Sequence, residues 1–272
     1  MDKTNRAGRG ASLSLSKGWG SAVPVIMAML IVFAGIIAHK RNSFWFWKNE
    51  IPIWEDVVKK SPNKARGHYN LGTLYGMNGL FDMGIKELNE VIKLKKDDAD
   101  VYFNLGLIYD KQGLINEAIE NYQASLRFSG DFADAHVNLG VSYYKLGRFS
   151  EAIDEYKIAL NKEPGLAEAH YSLGNAYKKT GQLDAAKEEY MSAIKSDPYY
   201  AEAHNGLGAV FYATGKIDEA IMEYNEALKL SPDYTSAHYN LGLAYERKGL
   251  TNEAAAEYEK SLITKPDMSI SK

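Results

Sequence analysis

Six glycines recur at intervals of 34 residues in this 272-residue sequence. They are Gly72, Gly106, Gly140, Gly174, Gly208 and Gly242. A fixed period of about 20 to 50 residues indicates repeated supersecondary units that bury their apolar faces by stacking on one another. When each glycine is counted as position 8 of a unit, the units span residues 65–98, 99–132, 133–166, 167–200, 201–234 and 235–268. The spacing therefore predicts a linear array over residues 65–268.

Other positions of the unit also keep one residue type. Position 7 is leucine, position 11 is aromatic and position 15 is glycine in all six units, while alanine at 20 and tyrosine at 24 each occur in five. Small residues at 8 and 20 predict a close crossing of two antiparallel helices, with the rings at 11 and 24 beside it. Glycine at 15 predicts a left-handed end to the first helix, and proline at 32 in the last four units ends the second. Position 18 offers these predicted N-caps for the second helix: Asp82, Asn116, Ser150, Asp184, Asp218 and Asn252.

This combination of leucine, glycine, tyrosine, alanine and proline positions resembles the tetratricopeptide repeat family. The resemblance covers residues 65–268, three quarters of the chain, and departs from the pattern mainly in the first two units. It implies an all-α fold, a right-handed superhelix of six helix pairs. Extending the register backwards predicts a lone capping helix at residues 51–61, within a junction of residues 39–64.

Residues 19–38 form a stretch of twenty uncharged residues, WGSAVPVIMAMLIVFAGIIA. As a helix this stretch is about 30 Å long, which matches the hydrocarbon core of a bilayer. Aromatic residues at both ends favour the headgroup region. We expect a single transmembrane helix that acts as a signal anchor; a cleaved secretory signal and a buried helix are the alternatives.

The charges around this segment suggest its orientation. Four lysines and arginines precede it and three follow closely, which favours placing the repeats on the extracytoplasmic, periplasmic side. Residues 1–18 are rich in glycine, serine and arginine and predict a disordered basic tail, and residues 269–272 form a short tail.

Charge and composition narrow the function. The chain has no cysteine, so disulfides and thiolate metal sites are excluded. Residues 1–64 hold ten basic against four acidic side chains, leaving 22 against 31 for the remainder. An acidic repeat region disfavours nucleic acid as a partner. Because no phosphate-binding loop, HExxH pair or nucleophile elbow occurs, we expect no enzyme activity, no catalytic residue, no metal and no cofactor.

Five of the six histidines fall on position 4 of the unit. Equivalent side chains in stacked units lie roughly 8–10 Å apart, whereas ligands of one zinc ion lie about 2 Å from it. We therefore expect these histidines to be packing residues.

The resemblance implies a concave groove lined by the first helix of each unit. Position 6 is asparagine in four units, similar to the asparagine row in the repeats of O-linked N-acetylglucosamine transferase. A carboxamide can donate to and accept from a peptide backbone of any sequence; the alternative is that asparagine only follows inherited repeat sequence. The lysine and asparagine clamp of chaperone-binding members is absent. The predicted peptide-binding residues are Asn70, Asn104, Asn138, Asn240, Tyr69, Phe103, Tyr144, Tyr171, Tyr212, Tyr239, Lys145 and Lys179.

Two functions are consistent with these features. The first is a membrane-anchored scaffold that binds an extended peptide or partner protein in the groove, in envelope assembly or secretion. The second is a non-catalytic accessory subunit of a membrane glycosyltransferase system, because residues 41–72 resemble the junction in O-mannosyltransferase-like repeat proteins of membranes. We also expect self-association through the last helix, at Ala255, Ala256, Tyr258 and Leu262.

Overall fold

The computed structural model describes residues 50–263, and this range contains thirteen helices and no strand. In chain order the helices are α1 Ile51–Lys60, α2 Ala65–Met77, α3 Phe81–Leu94, α4 Ala99–Lys111, α5 Ile115–Phe128, α6 Ala133–Lys145, α7 Phe149–Lys162, α8 Ala167–Lys179, α9 Leu183–Ser196, α10 Ala201–Ala213, α11 Ile217–Leu230, α12 Thr235–Arg247 and α13 Thr251–Ile263. The all-α prediction is confirmed.

Helices α2 to α13 form six pairs, one for each 34-residue unit. In every pair the first helix covers positions 1–13 and the second begins at position 17. Each first helix packs on the second helix of its own unit, and each second helix packs on the first helix of the next unit. This arrangement is the stacked array that the 34-residue period predicts.

Before the repeats, the structure describes residues 50–61 of a separate unit that ends at Ser61. These residues hold α1, which begins at the predicted residue and ends one residue before the predicted end. The capping role of α1 remains a prediction. The predicted anchor at 19–38 and both tails lie outside the described residues; from residue 50 to residue 263, every helix is too short or too polar to cross a bilayer.

Four of the five tyrosines at position 24 are the largest fully buried side chains of the described residues. Tyr122, Tyr156 and Tyr190 are at most 1% exposed. Each ring lies against the glycine at position 8 of its own unit, and a Cβ atom added at Gly106 would be 2.5 Å from Cε1 of Tyr122. Position 8 is therefore glycine because a larger residue would collide with the ring at position 24.

The turn between the two helices of each pair follows the predicted geometry. All six glycines at position 15 have positive φ angles, between 74° and 82°. The next residue donates its backbone N–H back to the carbonyl at position 11, as from Leu114 to Tyr109 at 2.9 Å. These bonds satisfy the last carbonyls of the first helix, so the left-handed helix end is confirmed.

The predicted N-caps at position 18 are wrong. The second helices begin at position 17, so Asp82, Asn116, Ser150, Asp184, Asp218 and Asn252 lie inside the first turn. In the second helices α3, α5, α7, α9 and α11, the residue that precedes the helix makes no side-chain capping hydrogen bond. A single residue after the left-handed glycine is enough to reverse the chain, which leaves no room for a cap at position 18. The three aspartates instead place negative charge near the N-terminal end of the helix dipole.

Candidate peptide-binding groove

The first helices α2, α4, α6, α8, α10 and α12 lie side by side, and we call the surface made by their positions 2, 5, 6, 9, 12 and 13 the first-helix face. Side chains of neighbouring units are joined across it. Nδ2 of Asn104 donates to the hydroxyl of Tyr69 at 3.0 Å, and Nζ of Lys145 lies 2.7 Å from Asp110. Position 6 of one unit thus reaches position 5 of the unit before it, and position 13 reaches position 12. Bonds of this kind join the first helices of units one to three and of units five and six, and α8 contacts both α6 and α10, so the first-helix face is continuous.

The predicted row of asparagines is in part used to join the repeats. Besides Asn104, Asn240 donates to Oδ1 of Asn205 in the preceding unit at 2.9 Å. Asn138 instead donates to the carbonyl of Asp134 in its own helix at 2.8 Å. Asn70 is half-buried at the equivalent position of α2. The amide nitrogens of three asparagines therefore already have partners within the protein, and their binding of a peptide remains a prediction.

Two of the aromatic residues at position 5, Phe103 and Tyr171, are held between two other rings. The ring of Phe103 lies 4.5 Å from that of Phe132 and 5.9 Å from that of Tyr122. Tyr239 contacts Tyr258 at 5.7 Å but is 52% exposed. These contacts fix the rings in place and leave part of their surface open to solvent. Such rigid, partly exposed aromatic side chains are typical of interface anchors.

The basic residues at position 13 differ in how they are held. Lys145 is fixed by its ion pair with Asp110, whereas Lys179 is exposed. Arg247 lies over the ring of Tyr212 at 5.1 Å and donates to the Tyr212 carbonyl. Tyr144, the other predicted residue at position 12, packs on Phe149 at 5.2 Å. The face thus has a basic edge at the C-terminal ends of the first helices.

Sequence reasoning missed the position 34 residues, which supply the second ring beside position 5. Phe132 and Tyr200 occupy this position, each immediately before a first helix, and Tyr200 lies 5.1 Å from Tyr171. The signal was present in the sequence, because position 34 is aromatic in three units: Phe132, Tyr200 and Tyr234.

The histidines at position 4 are packed, as expected, but each also has an acidic partner. Nδ1 of His68 lies 2.6 Å from Oε2 of Glu87, and the same contact recurs in the four other units that have a histidine. Glutamate occupies position 23 in these five units, whereas the second unit has Tyr102 with Asn121. Positions 4 and 23 thus change together in the second unit, and this correlation was the sequence signal for the contact.

A second bond links three of these histidines to the preceding unit. Nε2 of His68, His170 and His238 lies 2.9–3.0 Å from the carbonyl oxygen of the proline six residues earlier. The histidine therefore fastens the loop before a first helix to the second helix of the same unit. Within the part of the chain that the structure describes, no three histidine or acidic side chains come together as metal ligands.

Comparison with known proteins agrees with this architecture. A family model described as TPR repeat matches five segments that together run from residue 84 to residue 249, and a model described as tetratricopeptide repeat matches residues 65–98 and 235–267. No curated protein sequence matches the chain.

Several solved structures share the fold. MamA is 31% identical over a match that covers 59% of this chain and 94% of MamA, with a TM-score of 0.53. YrrB, described as a TPR protein with an unusual peptide-binding site, is 24% identical; the match covers 66% of this chain and 93% of YrrB, with a TM-score of 0.54. The MamA 41-end structure from Desulfovibrio magneticus RS-1 is 21% identical, covering 63% of this chain and 97% of that one, with a TM-score of 0.56.

The family models together match residues 65–267, which is more than half of the chain, and the segments 65–98 and 235–267 coincide with the first and the last helix pair. The chain therefore belongs to the tetratricopeptide repeat family.

Proposed function

We propose that this protein is a membrane-anchored scaffold whose first-helix face binds an extended peptide segment of a partner protein. The observation that carries the proposal is the continuity of this face. Hydrogen bonds and ion pairs join neighbouring units at positions 5, 6, 12 and 13, so a guest chain meets one connected surface. Extended guests suit such a surface because they can contact several repeats at once.

The chemistry of the face supports a peptide guest. Partly exposed rings at Tyr171 and Tyr239 offer apolar contact area that loses little side-chain entropy on binding. The carboxamide oxygens along position 6 are acceptors for peptide N–H groups. A small molecule would use only one unit of this surface, whereas a chain of about ten residues spans three, at roughly 8–10 Å per unit.

The membrane part of the proposal rests on the sequence. Residues 19–38 are uncharged and long enough to span a bilayer as a helix. With the repeats on the periplasmic side, the partners would be proteins of envelope assembly or secretion. A role as accessory subunit of a membrane glycosyltransferase is the second candidate, favoured only by the sequence of the junction at residues 41–72.

A crosslinking pull-down from membranes with the full-length protein tests the proposal. The variant Asn104→Ala, Asn138→Ala, Tyr171→Ala alters three units of the face, and Asn89→Ala, Asn161→Ala, Met222→Ala changes similar residues that are exposed on second helices. We expect the first variant to lose its crosslinked partner and the control to keep it. Equal recovery from both variants would contradict groove binding, and recovery of a polytopic glycosyltransferase would favour the second candidate.

A further inference from the structure

Units four and five, residues 167–234, depart from the repeat pattern at one place on the first-helix face. Position 6 is Ser172 and Gly206 in these units, where the other four have asparagine. Position 34 is tyrosine in these two units alone, at Tyr200 and Tyr234. Because the changes are neighbours in space, they form one specialised site.

The glycine at position 6 makes room for a tyrosine. A Cβ atom at Gly206 would be 2.6 Å from Cε1 of Tyr190, so even alanine would collide with this ring. The Tyr190 hydroxyl donates to Oδ1 of Asn175 at 2.7 Å, and Asn175 stands at position 9 of the first-helix face. The Tyr190 side chain thus passes between two first helices and places its hydroxyl beside the groove.

Four further tyrosines gather around this point, and we call Tyr144, Tyr171, Tyr190, Tyr200 and Tyr234 the tyrosine cluster. The ring of Tyr171 lies 5.1 Å from Tyr200 and 6.0 Å from Tyr190. Burial raises the pKa of Tyr144, Tyr190, Tyr200 and Tyr234, and Tyr171 raises each of them further. Tyr171 therefore lies at the centre of the cluster, with its ring in contact with the rings of Tyr190 and Tyr200.

Carboxylates border the tyrosine cluster on one side. Position 2 is acidic in four consecutive units, at Asp100, Asp134, Glu168 and Glu202, all on the first-helix face. None of the four makes a salt bridge with another residue of the range 50–263. Glu168 lies three residues before Tyr171 on α8, so the two side chains share one face of the helix, and Glu202 lies in the first turn of α10, two residues after Tyr200. The environment of the cluster therefore disfavours an added negative charge.

A lysine of the protein already covers the opposite side of the cluster. Nζ of Lys178, at position 12 of α8, lies 5.7 Å from the centre of the Tyr190 ring. A ring face favours a cation within about 6 Å of its centre. Lys178 covers the cluster from the C-terminal end of α8, whereas Glu168 and Glu202 stand at the N-terminal ends of α8 and α10. The side of the rings that faces these carboxylates has no cation of this kind among the described residues.

We propose that the tyrosine cluster and the acidic residues at position 2 bind lysine or arginine side chains of an extended guest segment. This inference deepens the proposed function and rests on it. Tyr190 is buried, but Tyr171, Tyr200 and Tyr234 are partly exposed. A guanidinium or ammonium group at the cluster therefore gains contact with their rings, with their hydroxyl oxygens as acceptors, and with the carboxylates of Glu168 and Glu202. An acidic guest would meet the exposed carboxylates of Glu168 and Glu202, which make no salt bridge among residues 50–263. The guest is therefore basic on the side that faces position 2.

The repeat spacing suggests a probe. Neighbouring first helices are separated by roughly 8–10 Å, and three residues of polyproline II span about 9 Å with side chains on one side. The probe is a labelled twelve-residue peptide in which proline recurs at every third position and arginine also recurs at every third position, offset from the prolines. Its charges are then in register with position 2 of successive units. Peptides with glutamine or glutamate in place of arginine are the matched controls.

Binding is measured by fluorescence anisotropy with the full-length protein in detergent micelles. We expect the arginine peptide to bind at least about tenfold more tightly than the glutamate peptide at low salt, with affinity that falls as salt rises. The variant Glu168→Gln, Glu202→Gln should weaken the arginine peptide about tenfold. Glu120→Gln, Asp154→Asn removes the same charge from exposed sites on second helices and should change affinity less than about twofold.

Four outcomes overturn the inference. Equal binding of all three peptides contradicts recognition of basic side chains, and so does an equal effect of the two double variants. The proposed function would still stand in either case, because a groove can bind peptides of any charge. If the arginine peptide binds more strongly after Arg6→Gln and Arg9→Gln, the natural occupant of the site is the basic segment of residues 1–18 of this chain, which competes with the peptide. The groove variant of the membrane pull-down could lose its partner while the wild-type protein shows no preference among the three peptides. This result would leave the proposed function standing and reject only the basic guest.

Discussion

The ring of Tyr190 fills the space that a side chain at Gly206 would occupy, although the two residues belong to different repeats. The contact crosses from the second helix of unit four to the first helix of unit five. It explains why the asparagine of position 6 is missing from unit five, since no residue with a Cβ atom fits there without movement of a fully buried ring.

Gly206→Ala should destabilise the protein. Alanine favours a helix by up to about 1 kcal/mol over glycine, but overpacking against a buried ring costs about 1–3 kcal/mol. We expect a net loss and a lower midpoint in thermal unfolding followed by circular dichroism. Gly165→Ala is the control, because nothing lies within 4 Å of the added atom. An unchanged or higher midpoint for Gly206→Ala would show that the ring moves freely.

Gly181→Ala tests the left-handed turn between α8 and α9. Gly181 has φ of +78°, and an added Cβ atom has no neighbour within 4 Å, so any effect arises from the backbone alone. Alanine in this conformation costs about 1–2 kcal/mol. Asparagine tolerates it better, so Gly181→Asn should lose less stability in urea unfolding. Equal losses for the two variants would argue against strain as the cause.

The carboxylate of Glu257 should make a pH-dependent contribution to the free energy of unfolding. Burial raises the pKa of Glu257, but hydrogen bonds from Lys260 and His238 outweigh this effect and hold the pKa below its ordinary value of 4.5. A carboxyl group with a lowered pKa stabilises the folded protein above its unfolded-state pKa, and the stabilisation disappears as the pH falls through the folded-state pKa. The contribution of the charged form is therefore complete at pH 7 and decreases as the pH falls below 4.5.

Glu257→Gln should accordingly reduce the free energy of unfolding at pH 7 by about 1–3 kcal/mol and have a smaller effect near pH 3. The comparison is made by urea unfolding at both values of pH. Glu259→Gln, an exposed change on the same helix, should have little effect at either pH. A loss for Glu257→Gln that is the same at pH 3 and pH 7 would contradict the ion pair.

Two charges in the apolar stretch should abolish membrane association. Leu30→Arg and Ile31→Asp place charged side chains at the centre of residues 19–38, where each costs about 2.5–3.5 kcal/mol for insertion. We expect the variant to leave carbonate-washed membranes, while Leu30→Val and Ile31→Val remain. Retention of the charged variant would contradict a spanning helix.

The orientation can be measured with a single thiol. The chain has no cysteine, so Asn252→Cys, at an exposed site in the sixth unit, introduces the only reactive group. We expect a membrane-impermeant maleimide to label this cysteine from the periplasmic side before the cells are lysed. Labelling only after lysis would place the repeats in the cytoplasm.

The fold could be predicted from the sequence because each repeated position has a local cause. Glycine at position 15 requires a left-handed turn, and glycine at position 8 accepts the ring from position 24 of the same unit. Both contacts lie within one unit, so six copies in register reveal them. The N-caps at position 18 were wrong because the turn is one residue shorter than a capped helix start needs.

The groove was harder to predict because its contacts cross between units. That Asn104 bonds to Tyr69 of the unit before it cannot be read from either unit alone. The contact of Tyr190 with Gly206 is of the same kind. Candidate groove residues can thus be listed by position, but whether their polar groups face a guest or one another depends on the stacking of the units.

A photocrosslinking residue at Tyr171 tests the central claim most directly, with Met222 on a second helix as the comparison site. Each full-length variant carries benzoylphenylalanine at one of the two sites and is irradiated in its own membrane, and the crosslinked segment is sequenced by mass spectrometry. We predict a crosslink at Tyr171 to a linear segment rich in lysine or arginine, which is lost in the Glu168→Gln, Glu202→Gln background, and none at Met222. Crosslinks at Met222 as strong as those at Tyr171, or none at Tyr171, would contradict binding along the first-helix face.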